Sequence, residues 1–159
     1  FNDSEGVLYA EIAALADDST YRQIAISDGT TDNRIALMYT NASNSIRSQV
    51  RVSASNQFDQ TTTAYTITEN NKIALLYKEN DFRLFVNGTQ VFTDTSGTTP
   101  TGLDELAFDD GAGNNDFYGN AKCVAVFKEA LSNDLLERLT GEGYQSFRLL
   151  AEANNYTII

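Results

Sequence analysis

Lys72-Ile73-Ala74-Leu75-Leu76-Tyr77-Lys78-Glu79-Asn80-Asp81-Phe82-Arg83-Leu84-Phe85-Val86-Asn87-Gly88 reads as two apolar strands joined by a tight connection and closed by a second turn. The apolar runs are too short for a helix of ordinary length, and β-branched and aromatic residues recur in them. Asn87-Gly88 is the strongest short-range hairpin signal, because both turn residues must adopt positive φ. Glu79-Asn80 offers a second tight link between Tyr77 and Phe82.

The same habit extends in both directions. Strands are predicted at Val7 to Ala13, Tyr21 to Ser27, Arg34 to Thr40 and Ser45 to Ser53, then at Thr63 to Ile67, Lys72 to Lys78, Phe82 to Val86 and Gln90 to Thr93. Glu105 to Phe108 and Gly119 to Phe127 complete the set. The single proline, Pro100, falls in a Ser/Gly/Thr-rich loop where no ladder needs its missing donor. Helical signals are confined to the C-terminal end: Leu131, Leu135, Leu136 and Leu139 at helical spacing, with Ser132 as N-cap and Gly141 as the stop. A second short helix is predicted from Ser146 to Ala153, and a terminal strand from Tyr156 to Ile159.

Alternation within the strands assigns the faces. Ile46, Ser48, Val50, Val52 and Ala54 share one side, and Arg47, Gln49, Arg51 and Ser53 the other. Ile24 and Ile26 point inward, with Tyr21, Gln23, Ala25 and Ser27 pointing away. Strands of this kind build two sheets packed face to face. The expected fold is therefore all-β, a two-sheet antiparallel β-sandwich with one or two short C-terminal helices. At 159 residues the chain suits one domain, taken as residues 1–159.

Charge and composition narrow the function. Twenty-two acids face 11 bases, a formal charge of -11, which argues against nucleic acid and against anionic membrane surfaces. No apolar run approaches the roughly 20 residues of a membrane-spanning helix, so membrane insertion is not expected. Histidine is absent, which removes imidazole bases and His-ligated metals. The lone Cys123, inside an apolar run, reads as a buried small hydrophobe, with a reactive thiol as the sharper alternative.

Three segments resemble the concanavalin A-like jelly roll in its laminin-G-like branch. They are the hairpin from Lys72 to Gly88, the stretch from Phe117-Tyr118-Gly119 through Leu139, and Ser27 to Ile35. The tail from Gly143 to Ile159 is similar to laminin-G-like domains of viral tail and fibre proteins. The resemblance implies a carbohydrate-binding module, extracellular or virion-associated, within a longer multidomain chain. Protein–protein adhesion or a structural role is the second reading, since one fold hosts many functions.

Sugars are held by aromatic faces and by planar polar groups against hydroxyls. With no Trp, Tyr and Phe must supply any stacking. Arg47 and Arg51, with Gln49 between them, suit an acidic polysaccharide, because guanidinium groups fork onto carboxylates and sulfates; solvated surface charge is the alternative. Asp28, Asp32, Asn33 and Arg34 form a polar loop with groups for hydroxyls, or a plain hairpin connection. Tyr39, Tyr65 and Tyr77 are candidate platforms or half-buried packing.

Asp109, Asp110, Asn114 and Asp116 supply oxygen ligands of the kind Ca²⁺ takes, and calcium at a loop edge is common in the resembled family; a glycine-rich turn is the alternative. Catalysis is not expected. Glycosidases need two carboxylates across the scissile bond. The segment Glu105 to Asp109 lacks the second glutamate of the usual pattern, Glu69 and Glu79 stand isolated, and lyase-type Gln-x-His is impossible.

Overall fold

The computed structural model describes residues 1–141, so the predicted helix Ser146 to Ala153 and strand Tyr156 to Ile159 lie outside the described residues. Ten strands and one helix follow in order: β1 (Glu5–Ala14), β2 (Arg22–Ser27), β3 (Arg34–Tyr39), β4 (Ile46–Val52), β5 (Ser55–Thr62), β6 (Asn71–Lys78), β7 (Asp81–Val86), β8 (Thr89–Asp94), β9 (Glu105–Ala107), β10 (Gly119–Phe127) and α1 (Asn133–Thr140). They form two five-stranded antiparallel sheets, β10-β1-β6-β7-β8 and β5-β4-β3-β2-β9. The predicted sandwich is the observed architecture.

The turns follow the local chemistry. Lys78 pairs with Asp81 and Val86 with Thr89, leaving the two-residue loops Glu79-Asn80 and Asn87-Gly88. Asn87 (φ 49°) and Gly88 (φ 81°) both take the left-handed conformation that suits strand twist. Ser53 (φ 47°) and Ala54 (φ 67°) do the same between β4 and β5, where Val52 pairs with Ser55. Neither residue favours that conformation, so the hairpin gives no turn signal.

That turn explains the one misplaced strand. Residues Thr63 to Ile67 do not form the predicted strand; β5 lies just before them. β5 carries a single large apolar anchor, Phe58, whose ring stacks on Phe82 of β7 with centroids 6.0 Å apart. A polar edge strand held by one aromatic shows no alternation of apolar residues.

The first sheet is apolar on both faces. Leu8, Ala10 and Ile12 of β1, Ile73, Leu75 and Tyr77 of β6, and Leu84 and Val86 of β7 meet Ile24, Ile26, Ile35, Leu37, Tyr39, Ile46, Val50 and Phe58 across the sandwich. On the opposite face Val7, Tyr9, Ala74, Leu76 and Phe85 are covered by Leu131, Leu136 and Leu139. α1 lies there with Ser132 accepting from the Leu135 N–H and the Gly141 N–H returning to Glu137. Cys123, half-buried, packs against this cluster, and its partial burial pushes its thiol pKa up, in keeping with its reading as a small hydrophobe. The second sheet is thereby left with the face that carries polar chemistry.

Tyr39 and Tyr77 are core residues and not sugar platforms, which corrects both as site candidates. Each is fully buried, Tyr39 donating to the Ile12 carbonyl at 3.0 Å and Tyr77 to the Asn2 carbonyl at 2.9 Å. Their places in the inward-facing alternation fix this outcome. Tyr65 also packs against the core, half-buried, with its hydroxyl directed to the Val86 carbonyl.

Two predictions test this packing. A Cβ at Gly6 would meet the Phe127 carbonyl oxygen and the Tyr77 hydroxyl at 2.5 Å. Gly6→Ala should therefore lower stability by about 1–3 kcal/mol in denaturant titration. Burial raises the phenol pKa values of Tyr9 and Tyr39 and takes Tyr77 from 10.0 to about 12. Each phenol keeps its proton in the native state after the unfolded chain has lost it. Their stabilisation is full below about pH 10 and is lost as pH rises toward 12. Chemical denaturation at stepped pH should show that decline, and Tyr77→Phe should make it shallower while costing about 1 kcal/mol at neutral pH.

Candidate functional site

The outer face of the second sheet gathers what the alternation promised and one residue more. On β4, Arg47, Gln49 and Arg51 point outward. Their partners on β3 are Met38, Ala36 and Arg34 respectively, so Arg34 stands directly opposite Arg51. On the other side Gln49 faces Asp59 of β5, and a register shift after Val50 brings Asn56 opposite Arg51. Arg34, grouped with the polar loop Asp28 to Arg34 and also predicted to open a strand, is the first residue of β3 and part of this row.

Side-chain bonds run across the strands. Arg47 grips Asp59 with a fork, Nε to Oδ1 at 2.6 Å and a terminal nitrogen to Oδ2 at 2.5 Å. Asn56 donates to the same Oδ2 at 2.6 Å, and Gln49 Nε2 lies 3.3 Å from it. Gln49 Oε1 accepts from Arg34 at 2.8 Å, while the other Arg34 terminal nitrogen donates to the Asp110 carbonyl at 2.8 Å. Among the described residues, Arg51 donates to the Ala54 carbonyl alone, through a terminal nitrogen.

The electrostatics are uneven along the row. Burial alone would raise the Asp59 carboxyl, but the Arg47 fork, with Gln49 and Arg34 behind it, holds it below the ordinary range. Arg47 is correspondingly raised, chiefly by its bond to Asp59. Arg34, 8% exposed, is lowered, first by burial and then by the facing charge of Arg51. Like charges directly opposite on neighbouring strands are destabilising. The Nε groups of both Arg34 and Arg51 are buried with no hydrogen-bond partner.

The face is narrowed by the 108–118 loop. The Asn115 carbonyl accepts from the Gln23 N–H at 3.0 Å, extending the β2 edge. Gly111, at φ 86°, presses on Ser27, where an added Cβ would come within 2.7 Å of the serine side chain. Ala25, Ala36 and Met38 are buried together beside the arginines. Tyr21, which the alternation turns to the same side, is an electrostatic neighbour of Arg47.

The remaining sequence candidates hold loops together. Asp28 accepts from Thr30 and Asn33, bonds that keep its carboxyl pKa low. The Asn33 side-chain oxygen accepts from the Ser53 N–H, and the Asp32 carbonyl from the Ala54 N–H, so both support the β4–β5 turn.

In the proposed calcium loop, Asp109 accepts from the Gly111 N–H, and Asp110 from the N–H groups of Ala112 and Asn114 and from Asn115. Asp116 accepts from the Tyr118 hydroxyl, and the Asn114 amide donates to the Ala112 carbonyl. Among the described residues no group of three or more His, Cys, Asp or Glu side chains converges to hold a metal ion. As arranged, these side chains cap the turns of their own loop.

Asp59 is the residue that sequence reasoning missed. Its signal is period 2 about Phe58, which places residue 59 outward, and that signal is legible only once 55–62 is recognised as a strand.

With this geometry in place, comparison with known proteins gives a consistent picture. By sequence alone, no curated protein matches the chain. A carbohydrate-binding domain of the Ruminococcus gnavus IT-sialidase, CBM40, solved bound to α2,3-sialyllactose, superposes with a TM-score of 0.71 at 20% identity, covering 88% of this chain and 84% of that one. A leech intramolecular trans-sialidase, complexed with 2,7-anhydro-Neu5Ac, superposes with a TM-score of 0.69 at 19% identity, over 92% of this chain and 24% of that one. Mouse laminin α1 domains LG4-5 give 0.53 at 11% identity, over 83% and 38%. At such identities the likeness speaks to the fold. The family profile described as the Concanavalin A-like lectin/glucanases superfamily matches residues 12–135, a span that holds every strand bearing the arginine row. Strand order, register and that match agree, and the chain belongs to the Concanavalin A-like lectin/glucanases superfamily.

Proposed function

We propose that this domain is a non-catalytic glycan-binding module whose outer β5-β4-β3-β2-β9 face takes an acidic sugar. The observation that carries the reading is the Arg34–Arg51 pair, directly opposed and each with an unpartnered Nε. Two facing guanidinium groups are costly alone and favourable around a carboxylate, which would relieve their mutual repulsion. Tyr21, half-buried near Arg47 on the same face, can offer its ring to the C–H side of a sugar. That a protein of the same fold has been solved with two isomers of sialyllactose, a sugar bearing a carboxylate, supports the ligand class.

The same face argues against hydrolysis. A glycosidase needs one carboxyl protonated as general acid. Asp59, the carboxylate in the row, is held below the ordinary range by the Arg47 fork. The proposal extends to context: a recognition module of a longer extracellular or virion-associated protein.

Binding to a panel of α2,3-sialyllactose, galacturonic acid, lactose and dextran tests the reading. The acidic members should be retained and the neutral ones not. Arg51→Gln should weaken retention about 10- to 100-fold, the range for one lost charge-assisted bond. The Arg34→Gln, Arg51→Gln double variant should abolish it with the fold intact by circular dichroism. Retention of neutral sugars alone, or an unaffected double variant, overturns the proposal. A chelator arm addresses calcium: binding lost in EDTA and restored by Ca²⁺ would move the site to the 109–116 loop, whereas unchanged binding keeps it on the arginines.

A further inference from the structure

The arginine row is not electrically uniform, and the asymmetry traces to one carboxylate. Asp59 receives both donors of the Arg47 fork and a bond from Asn56 at 2.6 Å, with Gln49 at 3.3 Å. The charge of Arg47 is thus paired with a carboxylate before any ligand arrives. Arg34 and Arg51, on the other side of Gln49, have no carboxylate forked onto them and keep unpartnered Nε groups. The charged neighbours of Arg34 are Arg51, Arg47, Asp110 and Asp59. Three guanidinium groups therefore face two carboxylates, an excess of one positive charge.

We infer that Asp59 is a specificity-determining residue, limiting the face to ligands with a single acid group and rejecting polyanionic glycans. The inference rests on the glycan reading above and concerns which acidic sugars that site admits. One carboxylate on the Arg34–Arg51 pair neutralises the excess. A second acid group displaced along the row toward β5 would find the Arg47 charge already neutralised and the Asp59 charge in its way. Repulsion between a ligand anion and a fixed carboxylate is a standard means of excluding a wrong partner. Asp59 faces Gln49 directly across the strand pair, at the centre of the row, which is the position from which it can act this way.

The decisive comparison is wild type against Asp59→Asn, titrated with α2,3-sialyllactose as the single-acid probe and a short heparin oligosaccharide as the polysulfated one. The Asn side chain keeps the shape while removing the charge and freeing Arg47. Heparin affinity should rise about tenfold and fall more steeply with added salt, by about one further ion, while sialyllactose affinity changes by less than about threefold. Adding Arg47→Gln to Asp59→Asn should cancel the heparin gain, because the released fork is what captures the second acid group.

Equal weakening of both ligands by Asp59→Asn would show that the carboxylate merely holds Arg47 in place, and it overturns the inference. So does unchanged heparin affinity. Should the single variant unfold, the wild type decides: tighter binding of the heparin oligosaccharide than of sialyllactose also overturns it. The two readings fail separately. Wild type without affinity for any acidic sugar removes the proposed function, whereas sialyllactose binding with no shift of preference in Asp59→Asn removes only the role of Asp59.

Discussion

The pairing of β6 between β1 and β7 sets the terms for the rest of the molecule. Leu75 faces Leu8 on one side and Leu84 on the other, deep in the sandwich. The next residue, Leu76, pairs with Val7 and turns to the opposite face under α1. A strand that is apolar at both phases of its alternation has to be covered on both sides. One cover is the second sheet and the other is the helix with its preceding segment. A slip of one residue would exchange the two apolar sets and bring Tyr77 out of the core, so the register is strongly specified.

Because α1 covers the middle of the first sheet's outer face, the polar row lies on the outside of the second. There the sequence accepts a local cost. Arg34 and Arg51 are juxtaposed across neighbouring strands, and two of their donors are buried without partners. Groups of this kind, unfavourable in the free protein, are the ones a complementary ligand stabilises most. The whole chain carries a formal charge of -11, so the arginine row is a positive island in a negative field. That field works against polyanions approaching from a distance, in the same sense as Asp59 works at the site itself.

The 108–118 loop illustrates how similar compositions serve different ends. Its aspartates and asparagines would suit a cation site, yet they accept or donate within the loop and hold a fixed backbone path. That path lets the Asp110 carbonyl receive Arg34 and lets Gly111 press against Ser27. The loop contributes to the candidate site as an edge that buries and orients an arginine.

How much was legible in the chain depends on the range of the interaction responsible. Period-2 alternation, the Asn87-Gly88 turn, the Ser132 and Gly141 caps and the absence of histidine are local properties, and they determined a two-sheet sandwich with one short helix among the described residues. They also determined that Arg47, Gln49 and Arg51 share an outward face. β5 escaped because its turn, Ser53-Ala54, adopts positive φ without glycine or asparagine, and because Phe58 alone anchors it. Asp59 went with it. Tyr39 and Tyr77 could not be assigned to core or surface from their neighbours alone, since a tyrosine suits either until the facing sheet is known. Only the tertiary structure decided that Arg34 meets Arg51, that Asp59 occupies Arg47, and that the 109–116 carboxylates serve their own loop. Those outcomes depend on cross-strand register between segments distant in sequence, and the residues of a single strand do not encode which partner stands opposite.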